Sequence, residues 1–161
     1  MQQGDTICAV ATAKGEGGIG IIRISGNNAQ RVAAKVFRAA SGKDLAEYKS
    51  YQAVYGHIVA SDGKIVDEAI ALIMRGPHSY TCEDVVELQC HGGMMPLRKT
   101  LQLTYEAGAR PAERGEFTKR AFINGRLDLT QAQAVMDVIS AKTEKSLAMA
   151  EGHLNGHFSQ L

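Results

Sequence analysis

Residues 11–25 read ATAKGEGGIGIIRIS, and within them Gly15, Gly17 and Gly20 spell G-x-G-x-x-G, the spacing of dinucleotide-binding loops. In such loops a helix follows the glycines, so that its free N–H groups and its dipole meet a pyrophosphate. Here Ile21, Ile22, Arg23 and Ile24 follow. β-Branched residues at alternating period predict a strand, with Ile22 and Ile24 on one face and Ile21 and Arg23 on the other. The acidic residue expected about 20 positions downstream is missing as well, because residues 38–43 read RAASGK, the end of a helix. Gly42-Lys43 is followed by Asp44, so no phosphate-binding P-loop arises there either. The glycines predict a loop between two strands.

Working outward, residues 6–12 (TICAVAT) predict the strand before the loop. Ala29, Val32, Ala33, Val36 and Phe37 form one apolar stripe at helical period, with cap and turn residues at 25–28. Residues 51–60 and 65–74 are β-rich runs around Ser61-Asp62-Gly63-Lys64, a hairpin signal. Residues 84–91 alternate, with Glu87, Gln89 and His91 on one face and Val86, Leu88 and Cys90 on the other. Helices are predicted over residues 95–107, ended by Gly108, and over 116–124, ended by Gly125. Near Leu127 the composition shifts. Thr130 and Gln133 have the T-x-x-Q spacing of a capping box that opens a long helical run. Val135, Ile139, Leu147, Ala150, Leu154, Phe158 and Leu161 trace its stripe, with Thr143 in one gap. A single stripe of that length needs packing partners, so residues 121–161 are expected to begin a helical domain cut short, after a first domain over 1–120.

The chain has 161 residues, 45% of them hydrophobic, and a net charge of +1, so no global charge draws it to nucleic acid or an anionic membrane. No apolar run reaches the roughly 18 residues of a membrane span, and no signal pattern opens the chain. Three cysteines, Cys8, Cys82 and Cys90, are an odd number and read as reduced thiols. A cytoplasmic protein without a membrane partner is the expectation.

Cys82, Cys90, His91 and His78 fit no usual zinc spacing, and no metal is expected. Glu83, Asp84 and Glu87 cluster, and Glu87 stands out because a mid-strand carboxylate between Val86 and Leu88 needs a partner. Arg114, Lys119, Arg120 and Arg126 make a basic helical surface, offset by Glu113 and Glu116. It reads either as a contact for RNA phosphate or as a solvated face.

Three longer motifs, GIGIIRISG, PHSYTCEDVVELQCHGG and RGEFTKRAFINGRLDLTQAQAV, resemble in order the N-terminal region of the tRNA-modification GTPases of the MnmE (TrmE) family. The resemblance covers essentially the whole chain. It implies an α+β fold, a mixed β-sheet with packed helices similar to the tetrahydrofolate-binding domain of aminomethyltransferases, followed by a truncated all-α segment. It implies a homodimer that binds a tetrahydrofolate derivative, the 5-formyl or 5,10-methylene form, through Arg23, Glu87 and Arg126. A carboxylate suits the amino-pyrimidine edge of a pterin, and arginines suit folate carboxylates or carbonyls. It further implies an FAD-dependent MnmG (GidA) partner and an aminomethyl-type modification at C5 of the tRNA wobble uridine. Neither a Walker A sequence nor a C-terminal cysteine motif is present. GTP, Mg and K therefore belong only to the absent GTPase domain, and the chain alone is expected to be inactive. The loop reads Ala13-Lys14-Gly15-Glu16-Gly17-Gly18 where the family has P-P-G-R-G-G, Arg126 stands where Lys is common, Cys82 where Gly is usual, and Arg114 where Pro is common. Two other readings are a purely structural dimerisation module and a free-standing folate-dependent aminomethyltransferase; the chain is short for the latter.

Overall fold

The computed structural model describes residues 5–12 and 18–159. Gly15 and Gly17 of the opening loop, and Leu161 of the last stripe, lie outside the described residues. After that loop the chain runs as strand. β1 (Ile7–Val10) and β2 (Gly20–Ser25) pair antiparallel, as the alternating isoleucines require. α1 (Ala29–Val36) buries Ala29, Val32, Ala33 and Val36, the expected stripe. Phe37, the fifth member of that stripe, is buried but extended, and opens the short strand β3 (Phe37–Ala39). A single 3-10 turn follows at Leu45–Glu47.

β4 (Ala53–Val59) and β5 (Ile65–Met74) form the expected hairpin, with Gly63 at φ +86° in its turn. β6 (Val85–Cys90) leads to α2 (Met94–Glu106). β7 (Arg110–Pro111), which the sequence did not signal, pairs parallel with β1 and makes the sheet mixed. Among the described residues the order is β3-β4-β5-β6-β2-β1-β7.

α1 and α2 pack on one sheet face. There Ile22, Ile24, Ile58, Ile73, Val86 and Leu88 are fully buried or nearly so, together with Cys8 and Cys90. Burying each large aliphatic side chain contributes about 1.5–3 kcal/mol. α2 also buries Thr100 and Thr104, whose hydroxyls donate to the carbonyls of Pro96 (2.7 Å) and Thr100 (2.8 Å), so no donor is left unpaired.

The other sheet face opens by rungs. Ile7, Ser25 and Val85 share a buried rung. The next rung, Ala9–Arg23–Glu87–Leu72, is half-buried, and so is the one after it, Ile21–Gln89–Ile70. α3 (Glu116–Ile123) and the loop before β6 lie at the buried end: Tyr80 and Thr118 share a hydroxyl hydrogen bond at 3.0 Å, and Asn124 donates to the Thr81 carbonyl at 2.8 Å.

α4 (Leu129–Ser159) is one long helix that packs on α3. Its capping box differs from the expected Thr130–Gln133. The Asp128 N–H donates to Gln131 Oε1 (2.9 Å) and the Gln131 N–H to Asp128 Oδ1 (2.7 Å), so the helix starts two residues earlier. Aspartate at the N-cap satisfies the same orphan N–H as threonine, and D-x-x-Q precedes T-x-x-Q in this sequence.

Candidate functional site

Arg23 and Glu87 are direct cross-strand partners on β2 and β6. Their side chains therefore emerge side by side on the half-open rung. The Arg23 Nε and Nη2 both donate to Glu87 Oε2, at 3.0 and 2.9 Å. One carboxylate oxygen takes both bonds. Glu87 Oε1 accepts no hydrogen bond from the described residues. The Glu87 side chain is 15% exposed and that of Arg23 31%, so the pair is reachable from solvent. The Phe117 ring of α3 lies 5.5 Å from the guanidinium carbon, within cation–π range.

Leu72 and Ala9 flank the pair on its rung, and Ile21, Gln89 and Ile70 form the next. The Gln89 amide makes no side-chain hydrogen bond to the described residues. The site thus offers a free carboxylate oxygen, guanidinium N–H groups and an amide, set among apolar walls. That combination suits a flat heterocycle with donors and acceptors along one edge.

Arg126 does not join this pair. It stands exposed after α3, in the turn at Gly125, and its side chain makes no hydrogen bond to the described residues. Phe117 and Gln89 were not singled out from the sequence. Gln89 had a signal, because it shares the strand face of Glu87; Phe117 had none.

The acidic cluster of residues 83–87 is divided three ways. Glu87 pairs with Arg23, and Asp84 accepts the Gly76 N–H at 2.9 Å. Glu83 belongs to a second assembly. Arg120, expected on a basic surface, is instead 4% exposed, and its guanidinium donates to Glu83 (3.1 and 3.2 Å), Glu116 (3.2 Å), Asp5 and the Asp5 carbonyl (2.6 Å). Burial of so long a cation is possible because three carboxylates surround it. Arg110 joins from β7, donating to Asp5 (2.7 Å) and to both oxygens of Glu116 (3.0 and 2.6 Å). Glu83 also accepts from Ser25 Oγ at 2.8 Å. The Arg110 hydrogen bond lowers the Asp5 pKa, with Arg120 adding to it. Burial acts to raise that of Glu116, but the hydrogen bonds from Arg110 and the Glu113 N–H hold it below the ordinary value. Among the described residues no buried side-chain nitrogen or oxygen lacks a partner.

Cys8, Cys90, Asp67 and His91 are occupied or inert. Burial pushes the thiols of Cys8 and Cys90 up to about 12 and about 11, which keeps them protonated. Asp67 is buried and accepts the N–H groups of His91, Gly92 (both 3.0 Å) and Glu68 (2.8 Å), fixing the turn into α2. His91 Nδ1 lies 3.2 Å from the Glu68 carbonyl, away from core-facing Cys90. No described helix is long and apolar enough to cross a membrane.

Comparison with known proteins places the chain in a family. The tRNA modification GTPase MnmE of Symbiobacterium thermophilum is 56% identical over 156 residues, 97% of this chain and 34% of that protein. Those of Alkaliphilus oremlandii and Clostridioides difficile are 54% and 52% identical over 97% of this chain, again 34% of each relative. The chain spans about a third of the length of these curated relatives. The family described as "GTP-binding protein TrmE N-terminus" matches residues 6–126, which hold β1 to β7, α1 to α3, the Arg23–Glu87 pair and Arg126. With its mixed α+β sheet and that match over most of its length, the chain belongs to the TrmE N-terminus family.

Proposed function

We propose that the half-open rung binds a tetrahydrofolate derivative, and that within a longer protein this serves aminomethyl-type modification of the tRNA wobble uridine. The observation that carries the proposal is the asymmetry of the Arg23–Glu87 pair: Glu87 is held in place through Oε2 while Oε1 is left to accept. An amino-pyrimidine edge has adjacent N–H donors that a carboxylate oxygen receives, and Arg23 both orients that carboxylate and offers donors to a carbonyl. Leu72, Ile21 and Ile70 supply apolar contact for a flat ring. When bound, the folate supplies a one-carbon unit. In this reading Arg126 meets the glutamyl tail, the chain forms a homodimer, and an FAD-dependent partner and tRNA are engaged by the longer protein. The relatives' name, tRNA modification GTPase, supports that assignment.

The test is calorimetric titration of the purified chain with 5-formyltetrahydrofolate. Binding heat is expected for the wild type, and Glu87→Ala is expected to abolish it while the far-UV circular dichroism stays the same. Absence of heat at high micromolar protein would remove the proposal.

A further inference from the structure

Between Glu16 and Asp44 the sequence contains no acidic residue, yet it carries Arg23, Arg31, Lys35, Arg38 and Lys43. Arg23 is held by Glu87. The other four are exposed, and none pairs with a carboxylate of the described residues. Because the whole chain is only +1, the rest of it is net acidic, and this one region concentrates positive charge. α1 buries Ala29, Val32, Ala33 and Val36, so Arg31 and Lys35, four residues apart, project from its outer side. Lys35 Nζ donates to the Ala107 carbonyl at the end of α2 (3.3 Å), and the Arg38 guanidinium folds back onto the carbonyls of Ala34 and Phe37 (3.2 Å for the latter). These bonds hold the cations in place without neutralising them. Arg38 and Lys43 then line one cleft of about 330 Å³ with Ala34, Phe37, Asp44 and Leu45. Its one acid, Asp44, is engaged through Oδ1 by the Ala46 N–H (2.9 Å) in the cap of the 3-10 turn.

We propose that the outer face of α1 and this adjoining cleft bind the phosphate backbone of RNA. Four exposed cations release counterions from a polyanion, and the cleft between Arg38 and Lys43 admits a phosphate group. The choice of RNA, with tRNA as the substrate, rests on the function proposed above; the cationic face itself does not. The contacts are to phosphate, so binding is insensitive to base sequence.

The test follows the fluorescence anisotropy of a labelled tRNA transcript titrated with the 161-residue chain between 50 and 200 mM KCl. Four neutralised phosphates predict that affinity falls about 100-fold across that range. Arg31→Gln/Lys43→Gln, which removes no hydrogen bond described above, is expected to weaken binding about tenfold at the low salt and to halve the slope of log affinity against log salt. The charge-matched control Lys64→Gln/Lys145→Gln is expected to change it less than about twofold. An equal loss in the control, or no salt-dependent binding, overturns the proposal. Polyglutamate of matched charge displacing tRNA as well as unlabelled tRNA does so also, by assigning the face to an acidic protein. The same variants are titrated with 5-formyltetrahydrofolate. Folate binding without tRNA binding overturns this surface alone, whereas tRNA binding as described without folate binding supports this surface and overturns the folate site.

Discussion

Arg23 with Glu87, and Arg120 and Arg110 with Asp5, Glu83 and Glu116, are built from the same two chemical groups, the pair across β2 and β6 and the larger assembly where β7, α3 and the segments before β1 and β6 meet. They differ in saturation. In the larger assembly two guanidiniums face three carboxylates, and Glu116 and Arg120 are largely closed to water. In the pair, one carboxylate oxygen carries both bonds and the other accepts none from the described residues. A saturated ionic network ties β1, β7, α3 and the loop before β6 together. A half-saturated pair keeps valence for something outside the chain.

The largest expected effect breaks the saturated side. Arg120→Leu leaves three carboxylates clustered beside a single remaining arginine, and chemical denaturation should register a loss of about 3–5 kcal/mol. Glu87→Leu, on the open side, should change stability by no more than about 1 kcal/mol, because Arg23 regains water. The same substitution should cost about 100-fold or more in folate affinity, the equivalent of two charge-assisted hydrogen bonds. If Glu87→Leu instead unfolds the chain, the contrast between the two assemblies fails.

Acid sharpens the comparison. Asp5 and Glu116 have folded pKa values below their ordinary 3.8 and 4.5. Their contribution is therefore fully present above about pH 5 and is lost as pH falls through the lowered folded values. Urea midpoints measured from pH 6 down to pH 3 should fall, and Asp5→Asn should flatten that fall. The smallest effect is expected next to Glu83. Cys82 adopts φ +63°, a left-handed conformation that strains a side chain. Cys82→Gly should raise thermal stability by roughly 0.5 kcal/mol, the relief of strain less the added freedom of the unfolded chain.

Much of the frame was legible in the sequence. Period-2 alternation put Arg23 and Glu87 on the polar sides of their strands, and the strand after the glycines excluded a dinucleotide cradle. Register was not legible: nothing local says that residue 23 lies opposite residue 87. The same holds for Arg120, whose neighbours Glu113 and Glu116 look like a solvated helix face until Asp5 arrives from far away in the sequence. β3 and β7 escaped because three and two residues carry no period; they exist only through their partners β4 and β1. The cap of α4 was displaced because D-x-x-Q and T-x-x-Q overlap, and the helix takes the first that satisfies its N–H groups.

The central claim is that Glu87 Oε1 is the recognition atom. A crystal of the chain grown with 5-formyltetrahydrofolate tests it most directly. Difference density for the pterin is expected against Oε1, with the Arg23 bonds to Oε2 retained. Density for the ligand at another place, with Glu87 untouched, would contradict it.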